Sequence, residues 1–191
     1  MFAIIQNNEI VKTGSIKSLF PNVSFPAGGA SAQFKAEHGV VEVVSDEQKD
    51  QRFYWVTPAN PHLQLVDGVP TFVFTNTPKE LKDREEVDED GNPLYVKVLG
   101  EVDGEPAMVD SDERLITKGL KSQWIAQVKD SANKALAETD WYVIRKAERG
   151  TDIPAEVVEK RAAIIDACTA KEAAITAATT IDELITAVQG A

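Results

Sequence analysis

His62-Leu63-Gln64-Leu65-Val66-Asp67-Gly68-Val69-Pro70-Thr71-Phe72-Val73-Phe74 is the stretch that decides how the first half of this chain folds. Asp-Gly tolerates positive φ at both central positions of a two-residue type I′ turn, so Asp67-Gly68 reads as the tip of a β-hairpin. That turn sets Val66 opposite Val69, Leu65 opposite Pro70, Gln64 opposite Thr71, Leu63 opposite Phe72 and His62 opposite Val73. The apolar residues then agree on their faces, as a fixed register requires. Pro70 falls in a non-hydrogen-bonded pair, so its missing N–H points away from the partner strand. That end of the strand is expected at a sheet edge.

The same turn recurs at Asp90-Gly91-Asn92-Pro93 and Asp103-Gly104-Glu105-Pro106, and Asn7-Asn8 reads as an earlier tip setting Ile5 opposite Ile10 and Ile4 opposite Val11. Val40 to Val44 and Arg52 to Val56 read as further strands. Phe20 to Gly29 reads as an irregular loop, because its prolines and glycines fit neither ladder. Arg52 to Val56 is apolar on both faces, with Phe53 and Trp55 on one and Tyr54 and Val56 on the other. The preferred reading is a central strand; the alternative is that one face meets a partner, with Phe53, Tyr54, Trp55, Phe72 and Phe74 as the candidate contacts.

Composition changes sharply along the 191 residues. All seven Phe and eight of nine Pro precede residue 111, and an alanine-rich stretch follows. The expected fold is α+β: an antiparallel β-sandwich-like domain over residues 1–110, then an α-helical domain over residues 111–191. In the second half a helix is expected from a cap at Asp110 or Ser111, with Leu115, Leu120, Trp124, Val128, Ala132 and Leu136 near one stripe. Asp140 is expected to cap a short helix ended by Gly150, with Trp141 and Ile144 facing inward. A third helix starts near Pro154 and carries Val157, Ile164, Ile165, Cys168 and Ile175. Thr180-Ile181-Asp182-Glu183 is a capping box for a last helix.

Net charge is -11, with 18 acidic against 9 basic residues up to position 110 and 13 against 11 beyond it. Phosphate backbones and anionic lipid surfaces repel such a chain, so neither nucleic acid nor membrane is an expected partner. A basic or neutral protein surface suits it better. The opening Met1-Phe2-Ala3-Ile4-Ile5 lacks the charged start and apolar length of a signal peptide, which implies a soluble protein that stays in the cytoplasm where it is made.

No catalytic, cofactor or metal site is expected. Glu86-Val87-Asp88-Glu89-Asp90-Gly91 partly follows a calcium loop, but position 12 is Lys97 where a bidentate Glu is needed. His38 and His62 lack Cys or His companions at ligand spacing, which leaves zinc or a Ser-His-Asp triad little to build on. Gly28-Gly29 lacks the rest of a phosphate loop. Cys168 reads as a small packing residue. Arg161 shares a helical stripe with Val157, Ile164 and Cys168, where a charge needs a partner such as Asp140, Glu148 or Asp182. That bridge lies within the domain or, alternatively, reaches another protomer or a client.

Asp140-Trp141-Tyr142-Val143-Ile144-Arg145-Lys146-Ala147-Glu148-Arg149-Gly150, then Ile153-Pro154, then the alanine-rich helix closing on Thr180-Ile181-Asp182-Glu183-Leu184, resembles the C-terminal segment of phage tail-fibre assembly chaperones and related small tail-fibre-associated proteins. The likeness covers roughly residues 112 to 188, with a weaker one over Met1 to Pro26. It implies a non-enzymatic partner of a phage tail-fibre protein that covers late-folding β regions and promotes trimerisation in the host cytoplasm. The β domain would hold the client. The helical domain would associate as a homotrimer through Trp141, Ile144, Arg145, Arg161 and Ile164. The alternative is a permanent virion component, an adaptor or accessory piece of the fibre.

Overall fold

A computed structural model describes residues 1–190 and divides the chain into two compact units, Met1–Pro78 and the residues from Lys79 onward. The class is α+β.

In the first unit, β1 (Phe2–Gln6) pairs with β2 (Glu9–Gly14) through a turn whose Asn7 and Asn8 have φ of 51° and 63°. Ile5 lies opposite Ile10 as the turn requires. A bulge then sets Ile4 opposite Lys12, so Val11 is exposed instead of paired. Short helices α1 (Ile16–Leu19) and α2 (Ala32–Glu37) flank the Phe20 to Gly29 loop, with Ser15 and Ser31 as their N-caps. β3 (Val40–Glu42) completes a sheet in the order β2-β1-β3.

A second sheet contains β4 (Val44–Ser45), β5 (Tyr54–Val66) and β6 (Val69–Pro78). Asp67 and Gly68 have φ of 51° and 78°, and Val66, Leu65, Gln64 and Leu63 pair with Val69, Pro70, Thr71 and Phe72 as the turn demands. Two expectations are corrected. Arg52 to Val56 is not a separate strand: β5 begins at Tyr54, bulges between Pro58 and Leu63, and pairs with the far end of β6, Trp55 opposite Thr77. The Pro70 end of β6 is not an edge either. β4 docks on it in parallel, Val44 opposite Thr71 and Ser45 opposite Phe72, which makes β6 the central strand. The docking strand is only two residues long and bonds past the proline, with the Asp46 amide donating to the Phe72 carbonyl at 2.8 Å. β4 and β5 are the outer strands, and Pro58 and Pro61 interrupt β5.

The second unit holds β7 (Arg84–Glu85) paired with β10 (Ile116–Thr117), the hairpin β8 (Tyr95–Val102) and β9 (Glu105–Arg114), and helices α3 (Leu120–Ala137), α4 (Asp140–Arg149), α5 (Ala155–Ala177) and α6 (Ile181–Gln189). The compact units therefore part at residue 78, not at the expected 110/111, and the strands fall into four small sheets over both units instead of one sandwich-like domain. Asp103 and Gly104 form the expected turn, with φ of 54° and 85°. At Asp90-Gly91 only Gly91 has positive φ. The Asp88 carboxylate closes this wider turn, accepting from the Asp90 and Asn92 amides at 3.0 and 2.8 Å.

Residues 111–114 continue β9, so the first helix begins at Leu120 and neither Asp110 nor Ser111 caps it. Its cap comes from far along the chain. Gly119 donates its amide to the Asp83 carboxylate at 2.8 Å, and the Leu120 and Lys121 amides donate to the Glu80 and Leu81 carbonyls. A Cβ on Gly119 would lie 2.3 Å from the Lys82 carbonyl oxygen, so this approach requires glycine. α4 is capped one residue earlier than expected, at Thr139, and ends as expected on Gly150 at φ 69°. Pro154 precedes α5. The capping box at Thr180 is complete: its hydroxyl accepts from the Glu183 amide at 3.2 Å, while Glu183 accepts from the Thr179 and Thr180 amides.

Thr180→Ala should cost about 1 kcal/mol, read as a lower urea midpoint. The Thr179 amide and hydroxyl, with the Thr180 amide, hold the Glu183 carboxyl below the ordinary glutamate range. Because its folded pKa is the lower one, this carboxylate stabilises the fold at neutral pH and loses that contribution as pH falls through the folded value. Glu183→Gln should flatten that acid-side loss in a urea-midpoint series against pH.

Candidate functional site

The helices of the second unit enclose little core. Leu120, Val157, Ile175, Ala178 and Leu184 are its buried apolar residues among those described. The whole chain exposes 13235 Å². Two separate compact domains of these lengths would expose about 11,000 Å², and contact between them could only lower that figure. The excess of about 2,000 Å² is larger than the roughly 800 Å² each partner contributes to an ordinary protein interface.

Part of that surface is α4. None of its residues is buried, and Trp141, Val143 and Ile144 are exposed, Trp141 to 50% and Ile144 to 56%. The expectation that Trp141 and Ile144 face inward is thus overturned. Ridges along the helix order the face nonetheless. Trp141 and Tyr142 rings lie 3.7 Å apart, and the Arg145 guanidinium sits 4.8 Å from the Trp141 centroid and 5.3 Å from that of Tyr142. A cation held over aromatic faces at i,i+4 spacing contributes about 0.5–1 kcal/mol and immobilises the tryptophan. The Arg145 Nε is buried without a hydrogen-bond partner among the described residues.

Arg161 anchors this helix from α5. Its Nη1 donates to the Leu136 carbonyl at 2.9 Å, the Thr139 hydroxyl at 2.8 Å and the Asp140 carboxylate at 2.9 Å. All three acceptors belong to the corner between α3 and α4. Of the partners expected for Arg161, Asp140 is the one used, and the bridge is intramolecular.

One turn along α5, Ile164 lines a groove of about 400 Å³ with Trp124, Val128, Ala132, Cys168 and Val188. Cys168 is half-buried there, and its thiol donates to Glu172 at 3.3 Å. That hydrogen bond, with burial, pushes the thiol pKa up and keeps it protonated. Lys129 holds Glu172 from α3 at 3.1 Å.

The candidate contacts of the first unit do not form one face. Phe53 is fully buried and Tyr54 nearly so, hence both are core residues. Trp55, next in the strand, is 62% exposed. Phe72 and Phe74 are half-buried against the His62 ring, at 4.9 and 5.2 Å; the expected pairing of His62 with Val73 does not form, because the β5 bulge between Pro58 and Leu63 breaks the register there. His38 is likewise spoken for, stacked on Phe34 at 4.1 Å. Among the described residues no group of three or more His, Cys, Asp or Glu is placed to hold a metal ion, and no helix is long and apolar enough to cross a membrane.

Sequence reasoning missed the β8–β9 hairpin as a surface. Leu99 is 76% and Met108 60% exposed, directly opposite each other, with Val98 and Val102 also exposed. The signal was available: both faces of this hairpin carry apolar residues. In comparisons with known proteins, no family model, no curated protein and no solved structure matches this chain.

Phe53→Ala should cost about 3–5 kcal/mol in the first unit, whereas Trp55→Ser, at a side chain 62% exposed, should cost clearly less. Equal effects of the two substitutions on calorimetric stability would contradict this division.

Proposed function

We propose that this protein is a phage tail-fibre assembly chaperone, a non-enzymatic partner that acts in the host cytoplasm while the fibre folds. The observation that carries the reading is the exposed Trp141, Val143 and Ile144 on α4, inside the segment that resembles such chaperones. An amphipathic helix whose apolar side chains are left in solvent, ordered by Arg145 and Arg161, is suited to meeting another chain. The fibre's unpaired strand edges and apolar surface invite aggregation until three chains meet, and a cofolding protein covers them.

In this reading the helical unit associates through Trp141, Ile144 and the groove at Ile164 to match a threefold client. Arg145 and Arg161 act by positioning α4. The first unit holds the client near Trp55, Phe72 and Phe74, with Phe53 and Tyr54 supporting that surface from the core. The acidic surface of the chain favours a basic or neutral client.

Co-expression with the fibre protein encoded beside it should turn an insoluble fibre into a soluble complex with equal copies of each, its mass read by light scattering. Trp141→Asp and Ile144→Asp should abolish that complex while circular dichroism stays unchanged, because both side chains are exposed. A fibre that trimerises unaided and never copurifies with this chain would sink the proposal. Stoichiometric recovery of the chain in purified particles would instead make it a permanent virion component.

A further inference from the structure

β8 and β9 form a two-stranded sheet with no further strand on either edge among the described residues. Such a hairpin is marginal in water by itself. Its open edges are not equivalent. Next to the two-residue turn, Val102 and Glu105 exchange both hydrogen bonds, and the pairs alternate from there. Gly100 with Ala107 and Val98 with Val109 therefore bond inward. Lys97, Leu99 and Glu101 on β8, and Pro106, Met108 and Asp110 on β9, direct their backbone groups outward. Pro106 has no N–H to offer, so β9 presents a broken edge and β8 a complete one.

We infer that the β8 edge pairs with the β8 edge of a second copy of this chain, antiparallel about a two-fold axis at Leu99, giving a four-stranded sheet in the order β9-β8-β8-β9. The register is self-complementary. On one face Leu99 meets Leu99 of the second copy, and Lys97 meets its Glu101 twice over, once on each side of the axis. Lys97 already pairs with Asp110 at 2.8 Å on that face, so in the dimer it lies between two carboxylates. On the other face Val98 meets Gly100 and Val96 meets Val102. Moving the axis by one residue, to Val98 or Gly100, sets Leu99 against Lys97 or Glu101 and loses both ion pairs.

Charge favours this occupant and this orientation. The tip carries Glu101, Asp103 and Glu105 without a basic residue, which opposes any tip-to-tip or parallel contact. The antiparallel two-fold sends the tips in opposite directions and returns Glu101 to a lysine. An isologous contact of this kind closes at two copies. It concerns the free chain, does not rest on the tail-fibre reading, and uses none of the α4 residues.

The full chain should show twice its 20.8 kDa mass by light scattering. Amide exchange should slow at Lys97, Leu99 and Glu101 as concentration rises, but not at Met108 or Asp110 on the β9 edge. Glu101→Lys opposes two lysine pairs and should weaken the dimer at least about tenfold, the equivalent of 1.4 kcal/mol. Lys97→Glu with Asp110→Lys keeps the pair within the hairpin, reversed, and should weaken its own dimer similarly. Mixing the two variants should restore a one-to-one heterodimer, since every cross-chain pair is then of opposite charge, and this restoration also shows that both variants are folded. Trp141→Asp should leave the free dimer intact. A monomeric chain at about 100 μM, a dimer indifferent to Glu101→Lys, or a mixture that fails to associate would each overturn the inference, leaving this edge to a different protein.

Discussion

The β structure of this chain depends on one backbone constraint: a two-residue turn closes a hairpin without splaying it only when both central residues take positive φ. Asn7-Asn8, Asp67-Gly68 and Asp103-Gly104 satisfy it. Each turn sets which residues face one another near its tip, and hence which side chains share a face. The consequence differs with context. At Asp67-Gly68 the strand that follows the turn is flanked on both sides, and its Pro70 and Thr71 are buried. At Asp103-Gly104 the same geometry sets Leu99 across from Met108 with both side chains exposed.

Among the helices the corresponding role falls to Arg161. A guanidinium that donates to a carbonyl, a hydroxyl and a carboxylate at one corner fixes the direction in which α4 leaves α3. The corner needs this because the apolar core around it is small. Arg145 then orders the outer face from within α4 itself. An exposed tryptophan held against Tyr142 and Arg145 loses little further freedom on binding, which reduces the entropic cost of an interface.

These features separate two kinds of association. The α4 face is apolar and irregular, suited to a shaped partner surface. The β8 edge is a backbone template whose charges select a register, and its self-complementarity yields a closed pair instead of an open stack. Pro58 and Pro61 interrupt β5, and Pro106 interrupts the β9 edge.

Local chemistry was legible before any coordinates. The positive-φ turns, the register from Val66–Val69 to Leu63–Phe72, the Gly150 stop, the Thr180 capping box and the Arg161–Asp140 pair all depend on residues close in sequence or on the need of a buried charge for a partner. What was misread depends on contacts the sequence does not order. Residues 111–114 have enough helical periodicity to suggest a helix, but pairing with β8 and the remote cap from Asp83 delay α3 to Leu120. Phe53 and Tyr54 could not be told from Trp55 by type, because only the packed sheet decides which apolar side chain is covered. The sequence by itself determined the Asn7-Asn8, Asp67-Gly68 and Asp103-Gly104 turns, the pairing next to the Asp67-Gly68 tip, the Gly150 stop and the Thr180 capping box, since these are short-range consequences of backbone sterics and hydrogen-bonding groups. Tertiary structure alone decided where the units part, which aromatic residues lie inside, and which apolar faces remain in solvent, since burial is set by neighbours far away along the chain.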